Sequence, residues 1–192
     1  MSHPSLPFVC LVAVAVVIAL IERIYALRNE KRLLGAGGRE VARSLYRLMF
    51  PAYAAIFPLS VIEFFVLRRN PPAPWMVAMI ALFLAAKLLK LWAVLQLRRN
   101  WTMRVVIPAV LHVVTSGPYR YIRHPNYVAV LIEVVALPLA GAAWITALAG
   151  GLAFLALLRA RVRAEEEALF ENPAYAGAMA HKDRFLPRRG GR

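Results

Sequence analysis

Apolar residues dominate the chain in long runs separated by short basic stretches. The first run, "LPFVCLVAVAVVIALIERIYAL", covers 6–27, and a second, "LYRLMFPAYAAIFPLSVIEFFVL", covers about 45–67. A third covers about 75–97; it opens on Trp75, an aromatic suited to a membrane interface, and holds Lys87 and Lys90 one turn apart. A shorter run from Tyr127 to Leu139 breaks at "PLAGAAW" and resumes from Trp144 to Leu158, which predicts two helices folded back at Gly141. Residues 159–192 are charged, with a pattern that predicts helix up to Glu171 and irregular chain beyond it.

A helix that crosses the hydrocarbon needs about 20 mostly apolar residues. The pattern therefore predicts an all-α, polytopic membrane bundle of about five transmembrane helices, one domain over 1–192, with no internal repeat or linker. Pro51 and Pro58 are expected to kink the second span, since spans tolerate proline where neighbours satisfy the freed carbonyls. The leader "MSHPS" has no Lys or Arg, and no cleavage site follows the first run, so that run reads as a retained span and not as a signal peptide.

Composition agrees. Of the 192 residues 61% are hydrophobic, against roughly 45–50% in soluble domains. The single cysteine, Cys10, excludes an internal disulfide and a multi-cysteine metal site. The formal net charge of +14 does not indicate nucleic acid, because the basic residues lie between apolar runs and not on a soluble, aromatic-studded face. Five spans would put 28–47, 98–126 and the C-terminal part on one side with nineteen basic residues, and leave Arg68 and Arg69 on the other. The positive-inside rule then places the N-terminus outside and the C-terminus in the cytoplasm, in a multi-pass protein of a bacterial inner membrane in contact with membrane lipid.

Two polar constellations stand at span ends. In "SGPYRYIRHPNYVAV" (116–130), Gly117 permits positive φ, and Pro125 disfavours helix at His124, so a helix can begin at Pro125 and run into the fourth span. Its free amides would attract an anionic group, with Arg123 and His124 beside them. Arg120, Tyr121 and Arg123 can also be read as headgroup anchors. In "RARVRAEEEALFENPAY" (159–175), Arg161 with Glu165 and Arg163 with Glu167 are spaced i, i+4 on a helix. Such runs are usually solvated and ion-paired. Here the short turn at Gly141 makes the last two spans antiparallel neighbours, so both polar ends meet at one membrane surface.

Glu133, two turns into the fourth span, and Glu63, in the second, are costly within lipid and are either paired with Lys87 and Lys90 or line a substrate cavity. No P-loop, HExxH, GxSxG or cysteine–histidine metal pattern is present, "GAGG" (35–38) lies between spans, and His3, His112 and His181 are isolated.

Taken together, "TSGPYRYIRHPNY", a helical hairpin, "RVRAEEEAL" and a late "RFLP" resemble the isoprenylcysteine carboxyl methyltransferase family over about 104–188. The N-terminal half looks more like small bacterial members linked to type III polyketide synthases. The resemblance implies an integral membrane enzyme that uses S-adenosyl-L-methionine in a cytoplasmic pocket formed by the last two helices and the C-terminal segment. It implies cofactor contacts at Leu111, His112, Val113, Val114, Tyr119, His124, Pro125, Asn126 and Tyr127, with Glu165 answering the cofactor's ammonium and Arg161 facing the acceptor. Ala178 or Met179 stands where the family has a tyrosine, and five spans replace the eight of animal members.

The residues fit that chemistry. Arg161 and Glu165 are the expected catalytic pair, and Arg161 and Glu133 the expected substrate contacts. An in-line methyl transfer mainly requires the two reactants to be held close and aligned. An arginine would favour an anionic oxygen on a lipophilic small-molecule or prenylated acceptor entering from the bilayer, either a prenylcysteine-like carboxylate or a long-chain alkylpyrone or alkylresorcinol hydroxyl. The alternatives are a phosphatidylethanolamine N-methyltransferase, which would want a base beside its amine, and a non-catalytic membrane scaffold.

Overall fold

The computed structural model describes residues 5–187; His3, Arg188, Arg189 and Arg192 lie outside them. The chain is almost entirely helical. Helices α1 (Ser5–Gly35), α2 (Arg43–Val66), α3 (Ala73–Leu97) and α5 (Trp144–Phe170) are each long and apolar enough to cross a membrane. Between α3 and α5 stands the shorter α4 (Pro125–Ala140), whose 16 residues rise about 24 Å, less than the hydrocarbon thickness of about 30 Å. Two elements were not legible in the apolar pattern: a short α6 (Pro173–Met179), in the stretch expected to be irregular, and an antiparallel pair of strands, β1 (Arg39–Val41) and β2 (Val105–Ile107).

The five membrane helices alternate in direction, and the ends meet as the charge pattern requires. At one end α4 and α5 turn through Gly141–Ala143, where Ala142 has φ 53°. The Gly141 position leaves no room for a Cβ against the Phe8 ring, so α1 begins against this turn. Glu63 binds there too: its carboxylate accepts from the Ile145 and Thr146 amides at 3.1 and 2.8 Å, capping the first turn of α5. It pairs with Arg69 at 3.1 Å and not with either lysine of α3. A carboxylate is well placed at the positive end of a helix dipole. Pro51 and Pro58 both sit inside α2, which continues through them.

At the opposite end α1 extends well past the apolar run. Its 31 residues rise about 46 Å, and its last turns hold the segment that follows α3. Asn29 Nδ2 donates to the Trp101 carbonyl at 2.8 Å, and Glu30 accepts from the Met103 and Arg104 amides at 3.2 and 3.1 Å. All three basic connections meet at this end, where β1 pairs with β2 and Arg39 meets Glu171 at 2.7 Å.

In mid-bundle Lys87 and Lys90 of α3 face Glu133 of α4 and Glu22 of α1. Lys87 Nζ is 3.0 Å from Glu133 and 3.3 Å from Glu22; Lys90 Nζ is 3.4 and 2.6 Å from the same carboxylates. The quartet is neutral as a whole and nearly dry, with Glu133 only 2% exposed. Unpaired, any one of these ions would be costly in lipid. Their pairing fixes α1, α3 and α4 against one another.

Candidate functional site

The turn that precedes α4 is built around Gly117, at φ 58°. A Cβ there would lie 2.6 Å from the Gln96 side chain, so both the backbone and the space call for glycine. The 3₁₀ turn Gly117–Arg120 that follows buries Tyr119 against Ala93, Tyr175 and Met179. His124 takes φ −126°, ψ 56°, and Pro125 opens α4 behind it as its fixed φ allows. The expected helix start is therefore in place. The amides of Tyr127 and Val128 both reach back to the His124 carbonyl, at 3.1 and 3.3 Å, so the first-turn N–H outside that arrangement is that of Asn126.

The C-terminal segment crosses over this turn. Arg123 and His124 donate their amides to the carbonyls of Asp183 and Arg184, at 2.9 and 3.0 Å, and Ile122 bridges Asp183 in parallel. Beneath the crossing lies Glu166, which the sequence reading missed. It is buried, forms ion pairs with Arg123 and Arg184, and its Oε1 is 3.0 Å from His124 Nε2. Arg123 and His124 thus direct their polar ends to a carboxylate of the protein itself. The run Glu165–Glu167 explains the oversight. Successive helical positions point about 100° apart, so the three carboxylates serve three environments: Glu165 faces a cavity, Glu166 faces the tail and Glu167 is exposed.

That cavity, about 150 Å³, opens between the turn, α5, α6 and residues 100–114. Of the predicted cofactor contacts, Leu111, His112, Val113, Val114, Tyr119, His124, Asn126 and Tyr127 line it, together with Arg161 and Glu165. Pro125 is buried beside it without lining it, and Glu133 lies elsewhere, in the lysine quartet. Burial and the Glu165 carboxylate hold the Tyr119 phenol well above its usual range, and Tyr175 is raised for the same two reasons with Glu166 adding to it. Both stay protonated. Neither is a candidate base; both are ring walls with a hydroxyl.

A second, smaller chamber of about 90 Å³ lies deeper, between α2, α4 and α5. The two share Trp101, Thr102, Asn126, Tyr127 and Arg161. At this junction the expected Arg161–Glu165 face acquires its geometry. The two side chains are joined through Tyr127, whose hydroxyl donates to Glu165 Oε2 and accepts from Arg161 Nε at 2.8 Å. Arg161 Nη2 donates to the Met103 carbonyl at 2.6 Å. The guanidinium is thereby held from two directions at the boundary between the two chambers. The residues of 100–108 that form the shared wall carry no motif and were not anticipated.

Residues 76–171, half of the chain, match the sequence profile of the isoprenylcysteine carboxyl methyltransferase (ICMT) family. The chain belongs to this family. The match runs from the start of α3 to the end of α5, and so includes the first constellation, the helical hairpin and the second constellation as far as Glu171. Membership in the ICMT family, with the apolar helices, makes this a membrane protein and implies a methyltransferase. Two bacterial relatives are similar along most of their length. YpbQ of Bacillus subtilis, an uncharacterized protein, is 29% identical over 164 residues, which cover 85% of this chain and 97% of the relative. An uncharacterized protein of Haemophilus influenzae is 26% identical over 170 residues, 86% of this chain and 94% of its own.

Proposed function

We propose that the protein binds S-adenosyl-L-methionine in the outer chamber and O-methylates a lipophilic acceptor held in the inner one. The observation that carries this reading is the Glu165–Tyr127–Arg161 chain at the junction of the two cavities. The residues present suit the cofactor. Glu165 offers a carboxylate to its ammonium. Asn126, whose Oδ1 is buried with no partner among the described residues, offers an acceptor and a first-turn amide. Leu111, Val113, Tyr119 and Tyr175 offer the apolar and ring surface an adenine needs. When bound, the cofactor supplies an electrophilic methyl group.

The protein's own task is then to hold an oxygen nucleophile in its anionic form and keep water away. Arg161 is suited to that: it is buried, fixed by two hydrogen bonds, and faces the inner chamber. An arginine stabilises a carboxylate or phenolate, whereas it repels an ammonium and cannot accept its proton. That supports oxygen over the amine of phosphatidylethanolamine. Met49, Phe50, Val130 and Phe154 make the inner chamber apolar, and Phe50 is also 42% exposed on the outer surface of α2. This supports entry of a prenylcysteine-like carboxylate, or a long-chain alkylpyrone or alkylresorcinol, from the bilayer. The basic end of the bundle, with the cofactor chamber, faces the cytoplasm of a bacterial inner membrane in this reading.

Three measurements test it. Lipids extracted from expressing cells fed methyl-labelled methionine are expected to carry label on oxygen of a long-chain acid or phenol; label mainly on phosphatidylethanolamine nitrogen would overturn the acceptor class. Glu165→Gln keeps shape and removes charge, and a hydrogen bond to a charged group contributes about 1.5–3 kcal/mol, so cofactor affinity by calorimetry should fall about 10- to 150-fold. Unchanged affinity would remove Glu165 from the site, and no binding by the wild type would leave a scaffold. A C-terminal alkaline phosphatase fusion is expected to be inactive and a green fluorescent fusion bright; the reverse would invert the bundle.

A further inference from the structure

Arg161 and Glu165 stand one turn apart on α5, oppositely charged, at the i, i+4 spacing where such side chains normally close on each other. Arg161 is only 7% exposed, and a buried ion without a partner is costly, which favours a direct ion pair. The contact runs through a third residue instead. The hydroxyl of Tyr127, from α4, stands between the two ions, donating to Glu165 Oε2 and accepting from Arg161 Nε at 2.8 Å. A phenol suits that place, since one oxygen carries a donor for the carboxylate and a lone pair for the guanidinium. Arg161 Nη2 is drawn aside to the Met103 carbonyl at 2.6 Å. Glu165 Oε1 and Arg161 Nη1 make no hydrogen bond among the described residues. The two ions also look different ways: Glu165 lines only the outer chamber, whereas Arg161 lines the inner one as well. The tyrosine ring is held apart from its hydroxyl, stacked on His124 at 5.3 Å and lying 5.4 Å from the Arg161 guanidinium.

We propose that Tyr127 is a positioning residue whose hydroxyl keeps Arg161 and Glu165 from pairing, so that the carboxylate serves the outer chamber and the guanidinium the inner one. The proposal rests on the reading of the two chambers as cofactor and acceptor sites. In Tyr127→Phe the ring stays, the spacer goes, and the two ions close on each other. Each chamber then loses its charged group to the other.

The test is a mutant cycle on the full-length protein in detergent, read as binding without turnover. Octanoate probes the inner chamber, with octanamide as its neutral counterpart, through tryptophan fluorescence, to which Trp101 in the shared wall contributes. S-adenosyl-L-homocysteine probes the outer chamber by calorimetry. Tyr127→Phe should weaken octanoate about 10- to 100-fold, the range for a hydrogen bond to a charged group. Octanamide should bind it as it binds the wild type, which also shows that the variant is folded. Adding Glu165→Gln releases Arg161 again, so this second change should tighten octanoate at least about tenfold more in Tyr127→Phe than in the wild type. In mirror image, S-adenosyl-L-homocysteine should bind Tyr127→Phe at least about threefold more weakly and recover when Arg161→Gln is added. Octanoate affinity that Tyr127→Phe leaves intact overturns the proposal. So does an equal effect of Glu165→Gln in both backgrounds, because the hydroxyl would then act on the ligand directly. If the wild type binds no octanoate, the inner chamber is not an acceptor site, and the recovery of S-adenosyl-L-homocysteine binding decides; without that recovery the spacer falls. A protein that binds both probes and transfers no methyl group refutes the proposed reaction and leaves the spacer standing.

Discussion

Glu133→Leu is expected to destabilise the protein by about 3–5 kcal/mol, the cost of removing one partner from a buried ion pair and leaving the other charge uncompensated. The loss falls on two cations. Lys87 and Lys90 would be left to share Glu22, which is itself less buried than Glu133. In lipid neither lysine can recover hydration without moving toward an interface. The measurement is reversible unfolding in mixed micelles by SDS titration, with α-helical circular dichroism as the signal. Glu133→Leu/Lys87→Leu restores neutrality by removing one ion of each sign, and should recover much of the loss. If the double variant is less stable than the single by a full additional increment, packing and not charge balance holds α3 to α4 at this point.

Arg161→Lys should lower turnover about 10²- to 10³-fold, the usual cost of losing one preorganised donor at a reacting oxygen. Lysine keeps the positive charge. It lacks the planar fork that lets Arg161 donate from Nε to Tyr127 and from Nη2 to Met103 at the same time. The ammonium can satisfy only one of these, so the charge is no longer fixed at the mouth of the inner chamber. Cofactor affinity should change by less than about threefold, because Glu165 and the other residues that line the outer chamber are untouched. Single-turnover kinetics beside calorimetry separate the two effects. Loss of cofactor binding with turnover per bound molecule unchanged would make Arg161 a cofactor contact and reverse its assignment. A thermal melt of the variant shows whether either number belongs to a folded protein.

Much of the site was legible because its chemistry is concentrated at two helix ends. His124-Pro125 stops helix on one side and starts it on the other through the ring's fixed φ. The i, i+4 spacing put Arg161 and Glu165 on one face before any fold was known. Both lines of reasoning are local, and both hold. The link through Tyr127 is a different matter: it brings together residues 34 and 38 positions apart, and only the close packing of α4 against α5 creates it. Glu166 was hidden by its neighbours in a run of three identical residues, since spacing within a helix cannot say which face meets a tail that returns from position 184.

By itself the sequence determined the number, order and alternation of the apolar helices, the short fourth helix, the turn at Gly141 and the end of the bundle where the basic connections gather. These follow from hydrophobic run length and from backbone restrictions at proline and glycine, which act within a few residues. Tertiary structure alone decided the partners of the buried charges. Glu63 went to a helix start and not to a lysine, while Lys87 and Lys90 recruited Glu22 from α1 as well as Glu133. It also decided that Trp101 and Thr102, in a segment without a motif of its own, form part of the wall shared by both chambers, held there by Asn29 and Glu30 from the far end of α1. The physical reason is the same in each case. In a nearly dry bundle, an ion or a backbone polar group takes the partner that the helix packing brings within hydrogen-bond reach, and that distance is a property of the whole fold.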